Sequence, residues 1–393
     1  MQRYHINNHS RASRFSTAGG CDEIHCMVRS DQGMSFDAAL DSIVKRYAEM
    51  CEQLKLSHND AVLARVYLSD IENQKNTLRT SALPALFPHS VISVVQGRPL
   101  MCGPIMLSAY HLLIPSAFSW QRTEYNESLM RMSTIVPGRH YRMLLTANFG
   151  GRGAVDSYEQ TNGVLSSLGP VLESSGMTLC DNTIRTWIYV RDIDTRYSGM
   201  VKSRREFFAS NGLTEKTRYL ASTGIEGKSL NLESAISFDS LSIAPLDPAQ
   251  IVRMEAPTHM PMPPTISYGV TFERGLRVHF GDRSHLYISG TASIDAAGAI
   301  VHPGNCQKQA QRMLENVKAL LEKQDATFDD MACAILYVRD IHDAPMVYDI
   351  VSRALPPDTP LTVVEGSVCR PGWLTEMEGI AIIKDTNGYA PFL

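Results

Sequence analysis

The sequence lacks the patterns that mark metals, membranes and export. None of its twelve histidines stands in an H-x-x-E-H or H-E-x-x-H arrangement; His5 and His9 share a bare H-x-x-x-H spacing with no acidic or third ligand beside them, and none of the eight cysteines stands in a C-x-x-C pair. No zinc site and no metal ligand is therefore assigned. No apolar run reaches the ~18 residues that a membrane helix needs. The opening twenty residues carry Arg3, His5, Arg11 and Arg14 and no apolar stretch, so they do not read as a signal peptide. Charge of one sign is scarce as well: 37 basic residues face 41 acidic ones, a formal net charge of −4. That balance argues against a basic nucleic-acid surface. Scattered cysteines without an export signal read as reduced thiols, and the expected location is cytoplasmic. Gly150-Gly151-Arg152-Gly153 lacks the third glycine of a dinucleotide fingerprint and reads as a hairpin turn, so no cofactor is assigned.

What is present is a repeat. The 393 residues, 44% hydrophobic and 20% charged, suit two or three globular domains. Three strand-like segments end alike: Val66-Tyr67-Leu68-Ser69-Asp70-Ile71, Ile188-Tyr189-Val190-Arg191-Asp192-Ile193 and Leu336-Tyr337-Val338-Arg339-Asp340-Ile341. Each places a Tyr three residues before Asp-Ile. Each follows a helix with apolar spacing of three and four, such as Ala310, Met313, Leu314, Val317, Leu320 and Leu321 in the last. A second helix follows, then a strand (91–95, 219–223, 361–365) and a closing strand (105–113, 235–243, 375–383). Asp70, Asp192 and Asp340 read as N-caps of the second helices.

The three aspartates are 122 and 148 residues apart. The excess falls in 244–267, where six of 24 residues are proline, a composition suited to a linker. Units of 1–118, 119–245 and 246–393 result, each an α+β layer with helices on one face of a sheet.

This order of elements, with Tyr287-Ile288-Ser289-Gly290-Thr291 and Glu376-Met377-Glu378-Gly379-Ile380, resembles the RidA/YjgF family of small trimeric domains. The resemblance implies three fused RidA-like repeats (a chorismate-mutase-like sheet plus helices) forming an intramolecular pseudo-trimer that stays monomeric. Over roughly residues 140–385 the chain is similar to the chorismatases, which cleave pyruvate from chorismate on such a fold. The motifs are Arg218-Tyr219-Leu220-Ala221-Ser222-Thr223-Gly224, Ser289-Gly290-Thr291-Ala292-Ser293, His302-Pro303-Gly304-Asn305 and Cys369-Arg370-Pro371-Gly372-Trp373. Glu226 and Trp373 depart from the pattern, and the 295–299 loop looks simplified.

Aligning the closing strands sets Glu376 and Glu378 against Ser237 and Asp239, and against Met106 and Ser108. Residues two apart on a strand share a face, so both glutamates point one way. The resemblance implies that Glu376 is a general acid, its pKa raised by burial and by the neighbouring carboxylate. Carbon protonation of an enolpyruvyl ether needs such an acid. A guanidinium suits a carboxylate, and the family places its carboxylate-binding Arg where Arg218 stands; Arg370 is a second choice. The expected substrate-binding set is Arg218, Tyr219, Thr223, Gly224, Gly290, Thr291, Cys369, Arg370 and Glu378. Cys369 matches the branch forming 3-hydroxybenzoate, and a buried structural thiol explains it equally well. Lys202-Ser203-Arg204-Arg205 reads as a solvated helix face. The expected partner is a small carboxylate substrate, chorismate-like, with neither nucleic acid nor membrane. An imine deaminase and an inactive RidA-like binding protein are the alternatives.

Overall fold

The computed structural model describes residues 1–18, 20–113, 121–126, 130–151, 153, 156–247, 249–257, 265 and 269–393. Repeat one runs β1 (Gln2–Asn7), β2 (Ser10–Phe15), β3 (Asp22–Arg29), α1 (Phe36–Leu54), β4 (Ala61–Leu68), α2 (Ile71–Thr80), β5 (Val91–Gln96) and β6 (Ile105–Leu113). Repeat two runs β7 (Gln121–Asn126), β8 (Met130–Pro137), β9 (Tyr141–Gly150), α3 (Ser157–Ser174) and a single turn α4 (Leu179–Asn182). It continues with β10 (Thr183–Val190), α5 (Ile193–Ser210), β11 (Ala221–Glu226), β12 (Lys228–Ser229) and β13 (Ile236–Pro245). Repeat three runs β14 (Arg253–Glu255), β15 (Gly275–His279), β16 (Arg283–Ala292), α6 (Cys306–Glu322), β17 (Met331–Val338), α7 (Ala344–Ala354), β18 (Leu361–Glu365) and β19 (Thr375–Lys384).

The three sheets share one strand order: β1-β2-β3-β6-β4-β5, β7-β8-β9-β13-β10-β11 and β14-β15-β16-β19-β17-β18. In each, only the fourth and fifth strands of the repeat pair in parallel. A parallel pair needs a crossover, which is the role of α2, α5 and α7. Much of the 244–267 linker lies outside the described residues, but its middle forms β14, the outer strand of the third sheet.

The helices follow from their sequence. Ser35 accepts from Ala38 N to open α1, whose Ala39, Leu40, Ile43, Tyr47, Met50 and Leu54 form the buried stripe. Asp70 accepts from Asn73 N as the cap of α2, whereas Asp340, accepting from His342 N at 2.9 Å, caps the short 3₁₀ turn Ile341–Asp343 that precedes α7. Asp192 does neither. It sits in the left-handed region at φ 56° with no side-chain cap bond. The Glu226 carboxylate takes over, accepting from Asp192 N at 2.9 Å and Ile193 N at 2.7 Å. Glu226 therefore holds the start of α5. Gly150-Gly151 is likewise not a hairpin: β9 ends at Gly150 and the chain runs on to α3, with Arg152 outside the described residues.

The repeats close into a ring through one contact made three times. The segment after β5 bonds to the edge of β18, with Leu100 N donating to Val363 O at 2.9 Å. The segment after β18 bonds to β11, with Glu226 N donating to Ser367 O at 3.0 Å. The segment after β11 forms β12, which pairs with β5. One, three, two and back to one is a closed head-to-tail cycle, the heterologous interface of a trimer within one chain. Inward-facing side chains of all three sheets, Tyr67, Tyr189 and Tyr337 among them, share one apolar cluster. The α1 and α3 helices pack on the outer faces in clusters of their own. No helix among the described residues is long and apolar enough to cross a membrane.

Candidate active site

Each repeat presents the same ladder positions to the interior. Tyr67 pairs with Met106, Tyr189 with Ser237 and Tyr337 with Glu376. Two residues along, Arg65 pairs with Ser108, Trp187 with Asp239 and Ile335 with Glu378. Glu376 thus occupies a position that is apolar in repeat one and a small hydroxyl in repeat two.

Glu376 is 5% exposed and lies in a cavity at the boundary of repeats two and three. Tyr197 of α5 closes one side, and Phe272, Arg274, Gly290, Cys369, Arg370 and Trp373 are among the repeat-three residues around the rest. The cavity encloses ≈ 340 Å³ when the open space at its mouth is counted. Burial pushes the Glu376 carboxyl up to about 8, and the Glu378 charge adds to the rise against the opposing Arg274 and Arg185. At neutral pH this group keeps its proton. Room for it comes from Gly290, in the bulge of β16 where the register shifts between Ile288 and Thr291. A Cβ on Gly290 would come closer to Glu376 Oε1 than the 3.0 Å that real Cβ atoms keep.

Glu378 is built differently from its neighbour. Its carboxylate is ion-paired with Arg185, accepts from Trp187 Nε1 at 2.9 Å and from the Thr223 hydroxyl, and lies 3.3 Å from the Tyr337 hydroxyl. Gly290 N donates to Thr223 Oγ1 at 2.9 Å, so the network reaches the wall of the Glu376 cavity. A buried carboxylate with a guanidinium and three further donors is a fixed charge. One carboxyl of the pair is satisfied as an anion and the other is left neutral, the usual device for separating two acids on one strand.

The structure brings Glu376, Gly290, Cys369 and Arg370 together around one space, with Thr223 and Glu378 directly behind it. It does not bring Arg218 there. Arg218 lies before β11 begins, outside the strand alternation, and its guanidinium serves the carbonyls of Cys180 in α4 and Thr183 at the start of β10. With Tyr219, whose N–H donates to Glu273 Oε1 at 2.9 Å, it lines a separate open depression. Arg218, expected to bind the substrate carboxylate, therefore does not share the space around Glu376. Gly224 faces Met200 and Tyr197 rather than the cavity, and Thr291 turns its hydroxyl to Ser289 O at 2.9 Å.

Cys369 is beside the Tyr197 hydroxyl, and burial together with the Glu376 charge pushes its thiol up to about 12. It is a neutral thiol, not a nucleophile at ordinary pH. Arg370 lies 5.1 Å over the Trp373 ring, whose Nε1 donates to Ser293 O at 2.9 Å. Trp373 thereby fixes both the cavity wall and the arginine above it.

Sequence reasoning missed Arg274 and Tyr197. Arg274 follows the proline-rich segment and belongs to no repeat-wide motif. Tyr197 lies in α5, whose apolar pattern is weak. Arg204, expected on a solvated helix face, is 2% exposed, 5.9 Å from the Phe272 ring that also lines the cavity. Lys202 and Arg205 of that run do face solvent.

The equivalent cleft between repeats one and two is filled. Asn148 stands at the bulge of β9 where Gly290 stands in β16, with φ 58°. Its Nδ2 donates to Ile92 O at 2.6 Å, and its Oδ1 accepts from Val94 N at 3.0 Å. Beneath it Asp239 is satisfied by Arg65, Ser93 and Asn148 N, the counterpart of the Glu378 network.

A family model described as Endoribonuclease L-PSP matches residues 278–383. A RutC family protein of Pyrococcus abyssi is 30% identical over 97 residues, covering 24% of this chain and 76% of that protein. Among solved structures, a chorismatase superposes with a TM-score of 0.62 at 15% identity, covering 91% of this chain and 98% of that one. The likeness to chorismatase is one of fold across all three repeats, while the sequence kinship is concentrated in the third. On the strength of that kinship and of three sheets of one design, the chain belongs to the RidA/YjgF superfamily.

Proposed function

We propose that the protein cleaves the enolpyruvyl ether of chorismate, releasing pyruvate and a dihydroxycyclohexadiene carboxylate or a hydroxybenzoate. The observation that carries this reading is a buried carboxyl, Glu376, raised to about 8 in a cavity that also holds Arg274 and Arg370. The likeness to chorismatase over 91% of the chain supports it.

The chemistry follows from those groups. Neutral Glu376 gives its proton to the terminal methylene carbon, leaving an oxocarbenium ion at the ether carbon. The Glu376 carboxylate so formed stabilises that cation and then takes a proton from the attacking water. The hemiketal collapses to pyruvate and the ring alcohol, so the hydrolytic route consumes one water and returns Glu376 to its acid form. Arg274 and Arg370 bind the substrate carboxylates, whose charge does not change in the reaction. Positioned acid catalysis of this kind contributes about 10²–10⁴-fold.

The test is incubation with chorismate, detection of pyruvate and identification of the ring product. Pyruvate release that is lost in Glu376→Gln supports the reading. No pyruvate from chorismate, with ammonia released from 2-aminoacrylate, would make the protein an imine deaminase instead.

A further inference from the structure

The ring has three boundaries between repeats, and the third is neither catalytic nor filled. Between repeats three and one lies a cleft of ≈ 730 Å³ counted out to its mouth, larger than the Glu376 cavity. Its floor is Met27, Leu100, Met101 and Met106, with Leu355 and Pro356 opposite. The sheet registers make it the counterpart of the Glu376 cavity. Arg29 pairs with Met106 where Ala292 pairs with Glu376. Met27, two residues earlier on β3, takes the place of Gly290. Leu100 and Met101 follow β5 as Cys369 and Arg370 follow β18.

The exchange moves the positive charge within the cleft, with Met101 where Arg370 stands and Arg29 where Ala292 stands. The acid is replaced by a thioether, and the small apolar residue across from it by a guanidinium. The other charges of the lining are matched: Arg11 is 2.8 Å from Asp358, which also takes His5 at 2.9 Å. Nearby Asp31 is held by Arg46 and by His9. The Arg29 guanidinium donates to the Asn8 carbonyl at 2.9 Å and makes no ion pair among the described residues, although it adds to the field that lowers the Asp31 carboxyl. Methionine floors adapt to varied apolar shapes, and a guanidinium at the rim selects a planar anion.

We propose that this cleft is a second, non-catalytic binding site for a small organic anion: a carboxylate on Arg29 and an apolar ring or chain over Met27, Met101 and Met106. It contains no acid in the position of Glu376, so a ligand bound there is held and not turned over. The inference is independent of the reaction proposed for Glu376, and its test reads binding rather than activity.

The probe is 3-fluorobenzoate, followed by fluorine NMR titration of the full chain. The expected result is a bound component that weakens about tenfold or more in Arg29→Gln, the size of a lost charge-assisted hydrogen bond. That component persists in Arg370→Met, which alters only the Glu376 cavity. Met27→Trp fills the cleft without changing its charge and should abolish the same component, with an unaltered melting temperature of either variant showing that the fold is kept. The proposal is overturned if the titration is insensitive to Arg29→Gln, or if Arg370→Met removes all binding. It is also overturned if Met27→Trp binds as the unmodified protein does, because the anion would then sit on surface charge alone. A mass that doubles with concentration and falls back in Met27→Trp would assign the cleft to a second copy of the chain and overturn it too.

Discussion

Gly290 and Glu376 face each other across β16 and β19, and the space that a side chain at 290 would take is occupied by the Glu376 carboxyl. The acid and the bulge that houses it are one device. In repeat two the bulge carries Asn148 and the strand carries Ser237, so the cleft is plugged where the acid is absent.

Gly290→Ala should therefore displace the carboxyl with little effect on the rest of the chain, since the clash is with the tip of a side chain. Pyruvate release from chorismate should fall at least tenfold in kcat, with KM nearly unchanged, because a misplacement of about 1 Å at the reacting atoms costs on the order of 10². Steady-state kinetics with a thermal melt separates this outcome from unfolding.

Glu378→Gln is not a quiet neighbour substitution. It leaves the Arg185 guanidinium buried without its ion-pair partner, which costs about 3–5 kcal/mol in a site of this kind. It also removes the like charge that helps raise the Glu376 carboxyl. The melting temperature should fall, and the alkaline limb of the pH–rate profile should move to lower pH. A profile that superposes on that of the unmodified protein would show that the two carboxyls are not coupled.

Arg370→Met and Arg218→Met should part company. Arg370 lines the Glu376 cavity, and its loss should raise KM about tenfold or more. Arg218 serves the carbonyls of Cys180 and Thr183 and lines another depression, so its loss should lower stability and leave KM within about twofold. An equal rise of KM in both would return Arg218 to the substrate.

Much of this was legible in the chain. The Tyr-x-x-Asp-Ile strands gave the threefold repeat because three structurally equal strands need the same inward tyrosine. The pair Glu376 and Glu378 stood out because two carboxylates on one strand face need a reason. The rest depended on tertiary neighbours. Arg218 matched a family position by sequence yet falls three residues short of β11. Arg274 enters the cavity only because β15 is laid beside β16. Glu226 reads as a motif departure, and it is a cap for the left-handed turn at Asp192. Arg204 reads as surface charge because nothing local shows Phe272 packing over it.

The raised Glu376 carboxyl also links stability to pH. A group that holds its proton more tightly folded than unfolded makes the folded state lose ground as pH rises between the two values. Here that window runs from the ordinary 4.5 to about 8, and the stabilisation is fully present below it. Glu376→Gln removes this loss, so its melting temperature should exceed that of the unmodified protein by a margin that grows from pH 5 to about 8. Parallel melts at several pH values check it, and a constant margin would mean that Glu376 ionises normally.

The most direct measurement is pyruvate release from chorismate by the unmodified protein and by Glu376→Gln across the pH range. The account predicts turnover that holds through neutrality and falls above about 8, as the acid loses its proton, and a drop of about two orders of magnitude or more in Glu376→Gln at every pH below that. Near-normal turnover in Glu376→Gln, or an unmodified protein whose rate falls through the ordinary carboxylate range near 4.5, would contradict it.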